Sequence, residues 1–175
     1  MKKKMVGICG STRQNSTNLD LLHAIAELEK DRIELYLFTD LASLPHFNPD
    51  DDHENVDASV SDFRQLLSES DGILICTPEY AMGVPGTLKN ALDWTVSSME
   101  FSHKPTALIT ASTLGEKAHQ SLLETLRIIE ADIDDTTALV ISNVKIKVRD
   151  RTIIDPVTLN KVKAVMNALI EKIPN

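Results

Sequence analysis

The sequence has few aromatic residues, few cysteines and no long apolar run. Aromatic residues make up 4% of 175 positions, which leaves few side chains for a site built from stacked rings. Cys9 and Cys76 each end an apolar run, a position typical of small buried side chains at strand ends rather than of a disulfide or a metal site. No uninterrupted apolar stretch approaches the roughly 20 residues that cross a bilayer, so no membrane span is expected.

Positive charge is also scarce. The chain has 18 Lys and Arg against 26 Asp and Glu, which gives a formal net charge of -8. Nucleic acids and anionic membranes are bound by clustered Lys and Arg, so neither is expected as a partner. The basic run at residues 2–4 directly precedes an apolar strand pattern and is more typical of a solubilising flank than of a targeting signal. A hydrophobic content of 42% over 175 residues predicts one domain, residues 1–175, which we expect in the cytoplasm.

The first stretch that indicates a ligand is the polar loop at residues 10–18. It follows an apolar run and precedes a helical pattern, so it predicts the turn between a first strand and a first helix. The free N–H groups and positive dipole end of a helix N-terminus favour an anion, and Arg13 adds a charge-assisted donor. The other polar side chains in the loop that could hold an anion are Ser11, Ser16, Thr17 and Asn18. A plain N-cap needs only one of them, so their number favours a phosphate site over a cap alone.

Strand and helix patterns alternate along the rest of the chain. Apolar runs that predict strands occur at residues 5–9, 33–38, 72–76, 106–110 and 138–141. With helical patterns between them, they predict a parallel sheet covered by helices on both faces. For the strand order 2-1-3-4-5, ligands bind at the carboxyl ends of strands one and three, where the order reverses. The loops that leave these strands are residues 10–18 and 77–86.

Two other segments carry expectations. Residues 39–55 contain two prolines and an acidic run, and predict a surface loop that could fold over a ligand or a partner subunit. Their acids are not in register for calcium and their histidines lack zinc spacing, so no metal site is expected. Residues 145–148 and 152–154 predict a small hairpin around a turn at residues 149–151.

The loop at residues 77–86 is rigid and partly apolar. It contains two prolines and two glycines together with Tyr80 and Met82. A stiff backbone edge beside these side chains offers a flat heteroaromatic ring a packing surface and fixed N–H donors. A proline-rich turn in which Tyr80 and Met82 cover the core explains the same residues, and this loop taken alone favours that simpler interpretation.

Taken together, the two loops resemble a known family. The first supplies the pattern Gly10-Ser11-x-Arg13-x-x-Ser16-x-Asn18. The second supplies Pro78-Glu79-Tyr80-x-x-Gly83-x-Pro85-Gly86-x-Leu88-Lys89-Asn90-Ala91-x-Asp93-Trp94. These patterns are similar to those of the flavodoxin-like NAD(P)H-dependent FMN reductases, which include quinone, azo-dye and chromate reductases. The resemblance covers essentially the whole chain, although beyond Trp94 it is one of pattern rather than of motif.

The resemblance implies a flavodoxin-like α/β fold, a doubly wound five-stranded parallel sheet of order 2-1-3-4-5 that binds FMN. Carried over by position, the residues that would hold the FMN phosphate are Ser11, Arg13, Ser16, Thr17 and Asn18. Those that would lie at the isoalloxazine ring are Pro78, Glu79, Tyr80, Ala81 and Gly83, with Ser112 from the loop after strand four. The resemblance also implies a homodimer or homotetramer whose site a second subunit completes. Trp94 and residues 39–55 are expected near that interface, although core packing is an alternative role for Trp94.

The sequence departs from the family pattern at two places. Ala81 stands where family members often have Asn after the Tyr, so a side-chain contact near the ring would be missing or replaced by backbone. The loop after strand four, residues 111–117, is bulkier than the glycine-rich loop that the family often carries there. The second departure bears on the nicotinamide contacts and on the range of acceptors.

Three other protein classes share features with this sequence. A Rossmann dehydrogenase needs a third glycine in register after Gly7 and Gly10, which the sequence lacks. A low-molecular-weight phosphatase needs a wider spacing between its cysteine and arginine than Cys9 and Arg13 provide. An electron-carrying flavodoxin stays open, since it has the same fold and cofactor without NAD(P)H chemistry. Such carriers are usually more acidic and place aromatic rings on both sides of the flavin, and this chain has few to offer.

The implied chemistry needs no catalytic side chain. Hydride passes from the nicotinamide to the flavin, so the protein mainly positions two rings, and no general acid or base is assigned. The resemblance implies NADPH, or NADH, as donor and a quinone, azo compound, free flavin or metal oxyanion as acceptor, in a ping-pong cycle. The resemblance alone favours NADPH, since no basic cluster for its extra phosphate is identifiable. Lys104, Lys117 and His119 are nevertheless expected near the mouth of the site.

Overall fold

A parallel sheet of five strands forms the centre of the fold. The computed structural model describes residues 1–53 and 56–174. The strands are β1 (Lys3–Cys9), β2 (Ile33–Phe38), β3 (Gly72–Thr77), β4 (Thr106–Ala111) and β5 (Ala138–Ile141). Their order is β2-β1-β3-β4-β5 and every neighbouring pair is parallel, which confirms the predicted topology. β3 and β4 are buried along their whole length, whereas the edge strand β2 is only partly covered.

Helices cover both faces of the sheet and enclose two apolar cores. They are α1 (Thr17–Leu28), α2 (Ala58–Ser68), α3 (Gly86–Asp93), α4 (Glu116–Ile128) and α5 (Pro156–Lys172). The apolar sides of α1 and α5 pack on one face, and those of α2, α3 and α4 on the other. Side-chain N-caps begin three of these helices, from Ser16, Asp57 and Asp155. Within the described residues, no helix combines the length and apolar character needed to cross a bilayer.

Cys9 and Cys76 are buried, unbridged neighbours on β1 and β3. Burial raises the pKa of both thiols, because the interior disfavours the charged thiolate. The prediction of small buried side chains at strand ends is therefore confirmed for both residues.

The strand boundaries differ from the prediction at two places. β1 begins at Lys3, so most of the basic run belongs to the strand rather than to a flank. The hairpin is shorter than expected, with two-residue strands β6 (Val148–Arg149) and β7 (Thr152–Ile153). Its predicted first strand begins instead as a 3-10 turn, Val144–Ile146, because Asn143 adopts a left-handed backbone with φ 53° and turns the chain directly after β5.

The segment at residues 39–53 is fastened to α3 rather than free to fold over a ligand. Asn90, on α3, donates to the Pro45 carbonyl at 2.9 Å and accepts from the Phe47 amide at 2.7 Å. The Trp94 indole, one turn further on, donates to the same carbonyl at 2.8 Å. Residues 54 and 55 of the predicted loop lie outside the described residues.

Trp94 is 1% exposed and packs edge-on against Phe47, so its side chain belongs to the core of its own chain. Core packing, the alternative role of Trp94, is therefore confirmed for its side chain, and the position of α3 near a subunit interface stays a prediction. An ion pair between Arg64 and Asp52, 2.8 Å long and mostly shielded from solvent, fastens the far end of the same segment. Arg64 also donates to the Trp94 carbonyl at 2.7 Å. This bond connects the Arg64–Asp52 ion pair to the residue whose indole holds the Pro45 carbonyl.

Gly10→Ala should destabilise the fold, because the carboxyl ends of β1 and β3 approach closely there. A Cβ at position 10 would lie 2.7 Å from the Thr77 Cβ and 3.1 Å from the Leu88 Cδ2. We expect urea unfolding to give a loss of about 1–3 kcal/mol in the free energy of unfolding. Gly86→Ala is the matched control, since a Cβ there meets nothing within 4 Å at the start of α3. It should leave stability unchanged or raise it by up to about 1 kcal/mol. Equal stability of the two variants would contradict the close approach.

Candidate functional site

A cavity of about 310 Å³ opens at the carboxyl edge of the sheet. Four loops line it, those after β1, β3, β4 and β5, as expected for a ligand crevice in a doubly wound fold. The predicted site residues that line it are Ser11, Arg13, Ser16, Thr17, Asn18, Pro78, Glu79, Tyr80 and Ser112. Ala81 and Gly83 are not among the lining residues.

Ser16 and Ser11 have structural tasks in the first loop. The Ser16 hydroxyl accepts from the Leu19 amide at 3.4 Å and caps α1. The Ser11 hydroxyl accepts from the Arg13 amide at the same distance, which shapes the turn before the helix. The plain-cap interpretation therefore holds for Ser16, while the exposed Arg13 side chain takes no part in capping.

Asn18 holds a buried polar atom that needs a partner. The residue is 4% exposed, and its Nδ2 donates to the Ala111 carbonyl at 3.0 Å, which ties the first loop to the end of β4. Within the described part of the chain its Oδ1 is buried without a hydrogen-bond partner. Leaving such an acceptor unsatisfied costs about 1–3 kcal/mol, which a ligand donor would relieve. Because Oδ1 accepts, it suits a hydroxyl or N–H group rather than a phosphate oxygen.

Glu79 joins the second loop to α4. Its Oε2 accepts from the amide of Ala118, in the first turn of α4, at 2.8 Å. The residue at the N-cap position of α4 is Gly115, which has no side chain to cap with, so the carboxylate does this from a different loop. The negative charge also lies at the positive end of the α4 dipole, which stabilises both partners.

The segment from Tyr80 to Gly83 is a tight turn closed by two backbone hydrogen bonds. The Tyr80 amide donates to the Gly83 carbonyl at 2.8 Å, and the Gly83 amide donates back at 2.9 Å. Ala81 and Met82 both have left-handed backbones, with φ of 48° and 64°. Tyr80 and Met82 are exposed, so the alternative in which they cover the core is wrong.

The fourth wall of the cavity was missed from the sequence. It consists of Asn143, Val144, Lys145 and Ile146, directly after β5. The Asn143 and Val144 amides hold this wall to the third loop by donating to the carbonyls of Thr113 and Ser112, each at 3.1 Å. The strand order carried a usable signal, because β5 lies beside β4 and therefore ends at the same edge of the sheet.

Of the three basic residues expected near the mouth, Lys104 lies elsewhere and the other two do not line the cavity. Lys104 donates to the carbonyls of Ser68 and Ser70, just before β3, so it lies at the opposite edge of the sheet and the expectation is wrong. His119 has its Nδ1 2.9 Å from the Thr110 hydroxyl, and burial lowers its pKa, so the ring is neutral at pH 7. Lys117 is exposed on the first turn of α4, and neither it nor His119 lines the cavity.

The left-handed turn at Ala81 explains why the similar family often has Asn at this position. If this explanation is correct, Ala81→Asn should stabilise the protein. Left-handed backbone costs most residues roughly 1–2 kcal/mol, and Asn tolerates it better than Ala. We expect a gain of about 0.5–1 kcal/mol in the free energy of unfolding, from thermal or urea denaturation without added cofactor. Ala81→Val is the matched control, because a β-branched side chain tolerates this backbone worst and should destabilise. A loss of stability in the Asn variant would refute the explanation.

Comparisons with known proteins agree with this geometry. The sequence pattern of the NADPH-dependent FMN reductase family matches residues 3–143. A 2-hydroxy-1,4-benzoquinone reductase from a Burkholderia species is 39% identical over 94 residues, which cover 54% of this chain and 50% of that protein. An NADPH azoreductase from Bacillus sp. (strain OY1-2) is 36% identical over 115 residues, which cover 65% of this chain and 61% of that protein.

The chain thus spans about half to three fifths of the length of these curated relatives. Among solved structures, the flavoenzyme NAD(P)H:(acceptor) oxidoreductase FerB from Paracoccus denitrificans superposes with a TM-score of 0.85 at 26% identity. The superposition covers 98% of this chain and 97% of that one. With its strand order, its cavity and a match that spans residues 3–143, the chain belongs to the NADPH-dependent FMN reductase family.

Proposed function

We propose that the chain binds FMN in the cavity at the carboxyl edge of its sheet and acts as an NAD(P)H-dependent reductase of small-molecule acceptors. The observation that carries the proposal is the buried Asn18 Oδ1, an unsatisfied acceptor in the wall of that cavity. FMN has a chain of hydroxyl donors between its ring and its phosphate, so it fits this acceptor. Family membership supplies the cofactor class.

The residues of the two predicted loops would divide the cofactor between them. Arg13 and the backbone N–H groups at the start of α1 would hold the phosphate, with Ser11, Ser16 and Thr17 beside them. Pro78, Tyr80 and Ser112 would lie at the ring, and Glu79 would keep their loop fixed to α4. FMN, when bound, supplies two-electron hydride chemistry, so the side chains need only bind, orient and exclude water.

The acceptor would be a quinone, an azo compound, a free flavin or a metal oxyanion. Relatives named for benzoquinone and azo-compound reduction support the first two classes. One wall of the cavity is closed by the protein, so donor and acceptor would approach the same open side and could not bind together. The kinetics are therefore expected to be ping-pong.

Tyr80 is the one aromatic among the described residues that line the cavity, which disfavours the electron-carrier alternative.

A homodimer or homotetramer would complete the site. Three of the loops that line the cavity each carry an exposed large apolar side chain, namely Met82, Leu114 and Ile146. These side chains support burial against a second subunit. Cytoplasmic location, where NAD(P)H is available, stays a prediction.

Anaerobic titration tests the reaction directly. The purified protein reconstituted with FMN should lose its blue absorbance when NADPH or NADH is added, because the donor reduces bound FMN. Initial rates with a benzoquinone should then give parallel double-reciprocal lines and mutual inhibition at high concentration. A flavin that stays oxidised with both nicotinamides would favour the electron carrier, and intersecting lines would exclude the ping-pong order.

Light scattering of the FMN-bound protein tests assembly. We expect two or four times the chain mass of 19.4 kDa at micromolar concentration. Met82→Lys should lower that mass by placing a charge in the apolar interface. Ile128→Lys is the matched control, since Ile128 is equally exposed but lies at the far end of α4. A monomer with FMN bound, or equal effects of the two variants, would refute the interface.

A further inference from the structure

The cavity is lined by a second cation, Lys145, which lies beyond the stretch that the family pattern matches. Lys145 lies in the 3-10 turn after β5, two residues beyond the stretch that the family pattern matches. It lines the same cavity as Arg13, which comes from the loop after β1. Two separate loops therefore bring one cation each to one binding site.

The turn that carries Lys145 is firmly anchored. Its Val144 side chain is buried, and the Val144 amide donates to the Ser112 carbonyl at 3.1 Å. The Lys147 amide donates back to the Val144 carbonyl at 2.9 Å and closes the turn. The Lys145 backbone is thus fixed at the cavity wall, and only its side chain is free to adjust.

The charges of the cavity are not balanced by the protein. In the part of the chain that the structure describes, neither the Arg13 nor the Lys145 side chain makes an ion pair, although the chain has an acidic excess. Glu79 is the carboxylate among the described lining residues, and it is bonded to the Ala118 amide. Two cations against one carboxylate leave the described lining with an excess of positive charge, which favours an anionic ligand.

We propose that Lys145 is a second phosphate-binding residue, which together with Arg13 makes the cavity select ligands that carry a phosphate monoester. Such a group has nearly two negative charges at pH 7, which matches two cations better than one. Asn18 also lines this cavity, and its buried Oδ1, which has no partner within the described residues, is an independent indication of a ligand with a hydroxyl or N–H donor. A phosphate monoester on a polyol or sugar offers both groups.

Two ligands of the proposed function, on which this inference rests, have this chemistry. FMN carries a phosphate on its ribityl chain, and NADPH carries one on a ribose. Riboflavin and NADH are the matching compounds without that phosphate. Comparing each pair separates the two sources.

The test is Lys145→Gln, with Lys117→Gln as the matched control. Both lysines are exposed, so neither change should unfold the protein. Lys117 serves as the control because it does not line the cavity. Flavin affinity is measured by fluorescence quenching with FMN and with riboflavin, and KM with NADPH and with NADH. We expect Lys145→Gln to weaken binding of one ligand that carries the phosphate monoester about threefold to tenfold, and binding of its counterpart without the monoester not at all. The effect should shrink as salt rises, because the attraction is screened.

The outcomes are distinct. Selective loss of FMN affinity supports the proposal with the flavin phosphate as ligand, and a selective rise in the KM of NADPH supports it with the nucleotide phosphate. Unchanged constants, equal losses with and without the phosphate, or a selective effect in Lys117→Gln would overturn it. If the wild-type protein binds flavin and oxidises NAD(P)H while Lys145→Gln is unchanged, this inference alone fails. If the wild-type protein binds no FMN, both the proposed function and this inference are wrong.

Discussion

The close contact between the carboxyl ends of β1 and β3 is the constraint on which the site depends. These two strands are neighbours although α1, β2 and α2 separate them along the chain, so the loops that follow them leave the sheet side by side. The Gly10 amide donates to the Cys76 carbonyl at 2.8 Å, and the missing Cβ at Gly10 leaves room for Thr77. A larger residue would push apart the two loops that line the cavity, so the shape of the cavity depends on close packing at this point.

Several motif residues make hydrogen bonds that fasten one segment of the protein to another. Asn90 and Trp94 are four residues apart on one side of α3, which is why both reach the Pro45 carbonyl. Ser16 caps α1, and Glu79 caps α4 across two loops. A family pattern therefore records two kinds of requirement, ligand contact and loop anchoring, and only the three-dimensional contacts separate them.

The sheet was predictable from the sequence because apolar runs report burial directly. The fully buried β3 and β4 appear as continuous apolar stretches, and alternation with helical patterns leaves few topologies. The clustering of Arg13, Asn18 and Tyr80 around one cavity followed from the strand order alone.

The rest depended on backbone turns and on long-range hydrogen bonds, which leave no local pattern. Left-handed conformations at Ala81 and Met82 occur at residue types that rarely adopt them, so nothing in composition marked that turn. The turn at Asn143 hid the fourth wall behind an apparent strand. Lys104, which was expected near the mouth, precedes β4, and the two ends of a strand lie at opposite edges of the sheet.

The bond from Glu79 to the Ala118 amide makes the first turn of α4 a reporter of the loop that faces the cavity. Any ligand that fixes the loop after β3 also fixes the carboxylate that caps this helix, and the reverse holds by thermodynamic reciprocity. Helix ends fray most easily, so hydrogen exchange at the Ala118 amide should follow occupancy of the cavity without this residue touching the ligand. The fold thereby extends the influence of its binding site along a second helix, away from the helix whose N-terminus faces the cavity.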